Sequence, residues 1–587
     1  MGSDMTRLDH AFSEQVTDPV AWDRLLHALM GRMTGGISPT ALQLAFFDWA
    51  GHLALNPGRQ GALQEKALRK ALRLAAYSGH CLADDEQTRC IEPLPDDQRF
   101  EAPAWGNWPF SFIHQAFLLQ QQWWHVATTG VPGVNPHHEE VVNFTVRQML
   151  DMVSPSNFLP TNPEVLERTV NERGANLVRG GSNWLEDVQR ELAGRPQASD
   201  EDYQVGRDLA VTPGKVVHRN ALMELIQYEP TTNTVHPEPV LIVPAWIMKY
   251  YILDLQPGRS LIEYLVGQGH TVFVVSWKNP GPEDRGMGMA DYRRLGVNDP
   301  LDVVNHIVPD QKVHGVGYCL GGTLLTLAAA AMARDGDDRL ATLSLLATQT
   351  DFTEPGELDL FIDESQVSFL EDVMWARGYL GRDRMAGAFH LLRSQDLVWS
   401  RMIRHYLMGE RDSTFDLMAW NADATRLPYR MHSEYLRSLF LHNDLVEGRY
   451  DIGGQPVSVA DIDIPIFSVA TQKDHIAPWH SVYKITRLAR TDVTFLLTRG
   501  GHNAGIVSEP GHPRRHYQIR HFKPLEPTYP AERFERETPQ QEGSWWPAWQ
   551  DWLAQRSGQA VAPPSLGAPS QGYAPDVEAP GEYVLMP

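Results

Sequence analysis

The sequence predicts an α/β fold in which a buried parallel sheet follows a helical N-terminal region and is interrupted by one large insertion. Six short apolar runs rich in β-branched residues, all after residue 238, predict the strands. Helical or loop-like sequence separates successive runs, which is the pattern of βαβ units. The interval between the fourth and fifth runs is far longer than a single crossover needs. Together, the apolar runs and the long interval predict an α/β fold with a large insertion.

The region up to about residue 200 has the periodicity of helices. In ALQEKALRKALRLAAYS (62–78), the apolar residues recur on one face, opposite a basic face that carries Lys66 and Arg73. A chain of 587 residues is too long for one ordinary core, so we expect more than one domain. We divide it into a helical N-terminal domain (1–200), a catalytic α/β domain (201–557) and an extended Pro/Gly-rich tail (558–587).

The six strand candidates follow one another along the α/β domain. They are PVLIVPAW (239–246), TVFVVSW (271–277), KVHGVGY (312–318), ATLSLLAT (341–348), IPIFSVAT (464–471) and VTFLLTRG (493–500). Between the fourth and the fifth lie about 100 residues of mostly helical pattern, from roughly 353 to 460. We expect this segment to be a cap inserted over the carboxyl edge of the sheet.

The composition excludes several classes of function. A formal net charge of −22 argues against a nucleic-acid partner, because such proteins normally carry a basic face. Three cysteines are too few for a disulfide framework in so large a chain, which favours the cytoplasm. We expect no signal peptide, since the first residues lack an apolar stretch, and no run reaches the roughly 20 apolar residues of a membrane helix.

The strongest chemical signal is the sequence Gly317-Tyr318-Cys319-Leu320-Gly321, between a strand candidate and a helix-forming run. This is the nucleophile-elbow pattern of the α/β-hydrolase fold, with Cys in place of Ser. Glycines are needed there because the elbow residue is strained and its neighbours pack closely. The following helix also places its free N–H groups beside the sulfur, which favours a thiolate. The pattern predicts that Cys319 is a nucleophile.

A cysteine nucleophile needs a general base, and in this fold the base follows the last parallel strand. His502 lies in a glycine-flanked loop directly after VTFLLTRG and is therefore the predicted base. His475 and His480 are weaker alternatives. His314 lies inside the strand before the elbow, where a role in the core or behind the site is favoured.

The acid that orients the base has two candidates. Asp474 follows the penultimate strand, which is the usual position, and is preferred. Asp351 follows ATLSLLAT, at an alternative position that some α/β-hydrolases use. With Asp474, the order nucleophile–acid–base along the chain agrees with that of the fold.

An oxyanion hole in this fold uses the N–H of the residue after the nucleophile and a second N–H from the loop after the first parallel strand. The first donor would be Leu320. The second would come from Pro244–Met248, with Ile247 as the nominal choice. Cys81 and Cys90 lack CxxC spacing, and we expect neither a metal site nor a cofactor.

The chain resembles the polyhydroxyalkanoate synthases of the single-subunit type, from about residue 100 to its end. Individual motifs are unspecific, but their ordered set is specific to that family. The motifs are SPSNF (154–158), TNPE (161–164), VPAWIMKYYILDL (243–255), SWKNP (276–280), GYCLGG (317–322), FDLMAWNAD (415–423), KDHIAPW (473–479), GGH (500–502) and SWWPAW (544–549).

The resemblance implies polymerisation of (R)-3-hydroxyacyl groups from coenzyme A (CoA) thioesters into a polyester, with release of CoA. His502 would deprotonate Cys319, and Asp474 would either orient His502 or activate the 3-hydroxyl. The resemblance also implies a homodimer working at the surface of cytoplasmic polyester granules. Short-chain monomers such as 3-hydroxybutyryl are expected first, with medium-chain ones as the alternative.

Two other functions compete with polymerisation. One is a cysteine hydrolase, namely a thioesterase, a depolymerase or a dienelactone-hydrolase-like enzyme. The other is a granule-associated scaffold without catalysis, which an intact set of Cys319, His502 and Asp474 argues against.

The sequence departs from the family pattern near the predicted site. Ala245 stands where a second proline is common, and Met248 where Asn or a similar residue is common. Asn503, directly after the predicted base, replaces a residue that is commonly aliphatic. None of the three belongs to the predicted triad, so they bear on substrate range and rate.

Overall fold

The computed structural model describes residues 19–81, 89–94, 97–193, 203–382, 398–411, 415–524, 526–527 and 529–587. The chain forms two compact units. One comprises Met1–Gly36, Asp202–Met385 and Thr414–Pro587, and the other Ile37–Glu201 and Ala386–Ser413. The first contains the sheet and is called the catalytic unit below; the second is the helical unit. The sequence-based division at residues 200 and 557 stays a prediction, and the two compact units cut across it.

The catalytic unit is built on one mixed sheet, which confirms the α/β class. Its ten strands run in the order β1-β2-β4-β3-β5-β6-β11-β12-β13-β14. Strands β4, β3, β5, β6, β11 and β12 are mutually parallel, and antiparallel strands extend both edges. The bounds are β1 Gly214–Arg219, β2 Met223–Tyr228, β3 Val240–Val243, β4 Val272–Trp277, β5 Val313–Tyr318, β6 Leu340–Leu346, β11 Ile466–Thr471, β12 Val493–Thr498, β13 His516–Phe522 and β14 Gln540–Glu542.

Both faces of the parallel strands are buried, and this explains their continuous apolar runs. In β3, Leu241 and Val243 pack into the apolar cluster on one face, while Val240 and Ile242 pack into the cluster on the other. All six predicted strands are present, as β3, β4, β5, β6, β11 and β12. The four edge strands were not predicted.

The insertion between β6 and β11 carries helices and two short strand pairs. The pairs are β7 Tyr379–Leu380 with β8 Leu427–Pro428, and β9 Tyr450–Ile452 with β10 Gln455–Val457. The described α-helices of the catalytic unit are Pro19–Met33, Leu261–Gly267, Met289–Arg293, Asp299–Ile307, Leu320–Asp335, Glu364–Arg377, Asp416–Asn421, Tyr429–Tyr435, Trp479–Tyr483, Ile485–Leu488, Ala531–Glu537 and Trp546–Ala554.

The helical unit begins several of its helices with the same local signal. Ser38, Asn135 and Asn162 each accept a backbone N–H of the first turn and are each followed by proline. A polar cap satisfies an N–H that has no acceptor in the helix, and proline at the first position loses no hydrogen bond. The described α-helices of this unit are Pro39–Leu55, Pro57–Cys81, Phe110–Thr128, Pro136–Met152, Pro163–Asn171, Ala175–Leu192 and Ser400–Met402.

None of the helices in the described ranges is both long enough and apolar enough to cross a membrane.

The Pro/Gly-rich tail lies along the edge of the sheet at β1 and β2. Its backbone bonds to that of β1 through Val577, and the side chain of Val584 is buried. Glu224 of β2, whose side chain is fully buried, accepts the N–H groups of Glu582 and Tyr583, both at 2.9 Å. The tail is therefore part of the sheet's packing.

We expect Glu224→Ala to destabilise the catalytic unit by about 1–3 kcal/mol, because it leaves two N–H groups of the tail without their acceptor and removes the carboxylate bonded to Arg219. Urea unfolding measures this loss. The matched control is Glu578→Ala, which removes an exposed carboxylate paired with Lys215 and should change stability little. Equal losses in the two variants would contradict the anchoring role of Glu224.

Candidate active site

Cys319 occupies a strained position between β5 and the helix Leu320–Asp335. Its φ of 52° and ψ of −123° lie outside the regions that L-residues ordinarily adopt. The surroundings hold it there, since its N–H donates to Leu346 O (2.9 Å) and its carbonyl accepts the N–H of Gly322 (3.0 Å). The half-buried thiol therefore sits on the sharp strand-to-helix turn that the sequence pattern predicts.

Three glycines make this turn possible. A Cβ on Gly321 would overlap the carbonyl oxygens of Val243 and Pro244, and one on Gly322 would overlap the side chain of Thr348. A Cβ on Gly317 would overlap the backbone of Gly322. The start of the helix thus lies so close to the loop after β3 that no residue with a side chain would fit at Gly321.

The parallel pairing of β11 with β12 brings Asp474 and His502 together. Thr471 and Thr498, the last residues of the two strands, are directly paired, so the following loops leave the same edge side by side. His502 Nδ1 lies 2.8 Å from Asp474 Oδ2. Both side chains are almost completely buried.

The remaining acceptor positions of Asp474 are occupied by its own loop. Oδ1 accepts the N–H groups of Ile476 (2.9 Å) and Ala477 (2.8 Å), and Oδ2 accepts the hydroxyl of Thr471 (3.0 Å). These bonds fix the carboxylate and leave the edge of Oδ2 facing the imidazole. The geometry suits an acid that orients a histidine.

The charges of the pair stabilise each other. Burial alone would lower the pKa of His502, but the Asp474 carboxylate and the Cys319 sulfur raise it well above its ordinary value. Burial alone would raise the pKa of Asp474, but His502 and the two N–H donors lower it. Both directions indicate an imidazolium–carboxylate pair. The pair stabilises the fold most between the ordinary pKa values of aspartate and histidine, roughly pH 4 to 6.5.

The loop that carries His502 is held by the C-terminal tryptophans. Trp545 Nε1 donates to Gly505 O (3.0 Å) and Trp546 Nε1 donates to Ile506 O (2.9 Å). The sequence singles out SWWPAW only as a family motif. In the structure, this motif fixes the histidine loop, because its two buried indoles donate to backbone carbonyls that follow His502.

Asp351, the alternative acid, has other partners. It accepts the N–H and hydroxyl of Thr353 and the amide of Asn443, and it lies 3.6 Å from Lys484. Burial alone would raise its pKa, but these partners lower it. Asp474 and not Asp351 is the carboxylate within hydrogen-bonding distance of His502.

The other histidines lie in different settings. His314 is fully buried at the start of β5, the opposite end from Cys319, and bonds to Thr342 and Ser557. The ring of His480 packs against Trp479, and the carbonyl of His475 accepts the N–H of Glu357.

The loop after β3 is fixed by the inserted segment. Thr425 donates its hydroxyl to Trp246 O (2.5 Å) and its N–H to Ile247 O (3.1 Å). Trp420 Nε1 donates to Lys249 O (2.7 Å). Leu320 is the first residue of its helix, so its N–H has no acceptor within the helix. Thr425 and Trp420 were missed by sequence reasoning, because bonds to backbone carbonyls about 175 residues away leave no local pattern.

The fold and this site define the class of the protein: an α/β-hydrolase-fold protein with a cysteine at the nucleophile elbow. The family models agree. A model of the poly-beta-hydroxybutyrate polymerase N-terminus matches residues 96–265, a second polymerase N-terminal model matches 17–59, and the alpha/beta hydrolase fold matches 238–508.

Curated relatives narrow the class to one family. The poly(3-hydroxyalkanoate) polymerase of Methylorubrum extorquens is 41% identical over 501 residues, which cover 84% of this chain and 82% of the relative. The poly(3-hydroxyalkanoate) polymerase subunit of Cupriavidus necator is 34% identical over 578 residues, which cover 97% and 95%. This chain belongs to the poly(3-hydroxyalkanoate) polymerase family, which confirms the resemblance drawn from the motifs.

We expect Asp474→Asn to lower the pKa of His502, because a neutral amide cannot stabilise the imidazolium. Titration by NMR with isotope-labelled histidine measures the shift. Asp351→Asn is the matched control and should leave the His502 titration unchanged. A fall of the pKa in the control but not in Asp474→Asn would transfer the orienting role to Asp351.

Proposed function

We propose that this chain is an acyltransferase that polymerises (R)-3-hydroxyacyl units from CoA thioesters into polyhydroxyalkanoate and releases CoA. The observation that carries the proposal is the strained Cys319 turn beside a charged His502–Asp474 pair, in a member of the polymerase family. The poly(3-hydroxyalkanoate) polymerase relatives support polymerisation rather than hydrolysis.

The first step loads the acyl group onto the enzyme. His502 takes the proton of Cys319 and holds it as the imidazolium paired with Asp474, and the thiolate attacks the thioester carbonyl. The carbon–sulfur bond to CoA breaks, and CoA leaves as a thiol with the proton from His502. One thioester replaces another, so the step has little thermodynamic cost.

The second step extends the polymer. The 3-hydroxyl of a further acyl-CoA gives its proton to a base and attacks the carbonyl of the chain held as a thioester on Cys319. The ester bond forms as the carbon–sulfur bond to Cys319 breaks, and the sulfur leaves as a thiolate while the base keeps the proton. The extended chain then ends in a CoA thioester and returns to Cys319 by the first step. We assign the base to His502 and the orientation of its ring to Asp474. The two N–H donors on Asp474 Oδ1 and the imidazole on Oδ2 support this assignment, because direct attack on a hydroxyl proton by Asp474 would require breaking one of these contacts.

The negative oxygen that forms in both steps requires donors. We propose the N–H groups of Leu320 and Ile247 as the oxyanion hole. The free N–H at the start of the helix supports Leu320, and the tether of the Ile247 carbonyl to Thr425 supports a fixed orientation of the neighbouring peptide.

The other properties of the reaction follow from the same proposal. Acyl transfer by a thiolate and an imidazole requires no cofactor beyond the CoA thioester itself. The resemblance to single-subunit synthases supports a homodimer that works at the surface of cytoplasmic polyester granules. We expect 3-hydroxybutyryl-CoA to be a substrate, with medium-chain monomers as the alternative.

The hydrolase and scaffold alternatives are separated by the product. Incubation with (R)-3-hydroxybutyryl-CoA, with thiol release and turbidity followed together, distinguishes the three functions. A polymerase releases CoA and makes insoluble polyester, a thioesterase releases CoA and soluble hydroxyacid, and a scaffold releases nothing. Thiol release without turbidity would contradict the proposal.

We expect Cys319→Ala to abolish CoA release, because no other group can form the acyl-enzyme. Cys319→Ser should also be very poor, since a serine hydroxyl is far less acidic than a thiol. The control is Cys90→Ala, which truncates a buried thiol of the helical unit and should retain most of the activity. Cys81, whose side chain lies outside the described residues, is tested in the same way. An inactive but folded Cys90→Ala variant would imply a chemistry with two thiols.

We expect Thr425→Val to lower kcat by about tenfold with little change in KM, because the loop that presents Ile247 loses a tether. Steady-state CoA release measures this effect. Thr128→Val is the matched control, since Thr128 is equally buried and its hydroxyl also donates to a backbone carbonyl, that of Trp124. Equal losses of kcat in both variants would show that the effect of Thr425 is not specific to the loop.

A further inference from the structure

The hydrogen bond between Tyr318 and Asn503 joins the two catalytic loops of the proposed site. Tyr318 immediately precedes Cys319, and Asn503 immediately follows His502. The hydroxyl of Tyr318 donates to Asn503 Oδ1 at 2.7 Å. One side-chain bond therefore connects the backbone next to the proposed nucleophile with the backbone next to the proposed base.

The surroundings of this bond make it rigid. Tyr318 is the last residue of β5 and is only 2% exposed, packed in the apolar cluster on one face of the sheet. Its ring lies against the imidazole of His502, with 5.9 Å between the ring centroids and 33° between the planes. The backbone carbonyl of Asn503 accepts the N–H groups of Ile506 and Val507, both at 3.1 Å, so the amide belongs to a tight turn.

Burial gives the bond its importance. A tyrosine hydroxyl removed from water requires a partner, and leaving it unpaired costs more than the bond itself contributes. The side chain of Asn503 supplies this partner.

We infer that Tyr318 and Asn503 form a positioning pair that sets the separation and orientation of Cys319 and His502. Neither side chain is assigned contact with the reacting atoms. The inference rests on the proposed roles of Cys319 and His502, because positioning matters for catalysis only if those two residues react. Proton transfer between sulfur and imidazole depends steeply on their geometry, so a small shift of the His502 loop should be visible in rate.

The test is a double-mutant cycle with Tyr318→Phe, Asn503→Leu and the double variant. We expect each single variant to lower kcat by roughly 10- to 100-fold while KM changes little. The double variant should be no worse than the worse single variant, because both changes remove the same bond. Losses that multiply in the double variant would overturn the inference.

A second readout is independent of substrate. The rate at which iodoacetamide alkylates Cys319, measured against pH, reports the coupling of the thiol to His502. We expect the profile to shift in both single variants, and the shifts to be non-additive in the double variant. If Cys319→Ala retained CoA release, the proposed function would fail. The alkylation profiles of the single and double variants would still show whether Tyr318 and Asn503 together position Cys319 and His502.

The control for ordinary loss of stability is Tyr483→Phe. Tyr483 is also buried, and its hydroxyl donates to the carbonyl of Tyr529 at 2.8 Å, within the apolar cluster on the other face of the sheet. It should lower the melting temperature without moving the alkylation profile or kcat. If Tyr318→Phe and Asn503→Leu behaved in the same way as Tyr483→Phe, the pair would be structural only and the inference would be wrong.

Discussion

The close approach of the helix Leu320–Asp335 to the loop after β3 is the constraint on which the site depends. Gly321 lies against the carbonyls of Val243 and Pro244, and this contact allows no side chain. To begin a helix there, the chain must turn within one residue of the strand, and Cys319 takes a positive φ as a result. The strain is sustained because β6 and the helix both bind the backbone of Cys319. The conformation of Cys319 therefore follows from packing rather than from local preference.

The burial of His502 and Asp474 imposes a second constraint, because burial alone would favour the neutral form of each group. Two charges removed from water are stable only when they are paired and hydrogen-bonded. Asp474 meets this requirement through two N–H donors and a hydroxyl of its own loop, all within three residues along the chain. His502 depends on distant groups, because its loop is held by Trp545 and Trp546. Asp474 is thus fixed by its own segment of the chain, and the loop of His502 by contacts from the C-terminal region.

This difference explains what the sequence could predict. The parallel strands have a local signal in their buried apolar runs. Cys319 and His502 lie in glycine-flanked turns after such runs, and Asp474 lies three residues after the end of another. Strand β2 was missed although all six of its residues are buried, because Glu224 and Gln227 interrupt its apolar pattern. Both are satisfied by the tail, Glu224 through N–H groups near residue 582 and Gln227 through Ser565 and Gly567. Such a strand cannot be predicted from its own residues, because the partners of its polar side chains lie 340 residues further along the chain.

The inserted segment and the C-terminal region both fix loops at the edge of the sheet where Cys319 and His502 lie. The loops after β11 and β12 are bonded to each other through Asp474 and His502, and elements outside them fix the loop after β3 and the far side of the histidine loop. Thr425 of the insertion binds the loop after β3, and the tryptophans of the C-terminal helix bind the loop after β12. The Tyr318–Asn503 bond links the elbow to the histidine loop through the side chains that neighbour Cys319 and His502. Loops fixed from several sides hold Cys319 and His502 in one arrangement, which the proposed series of acyl transfers requires at every step.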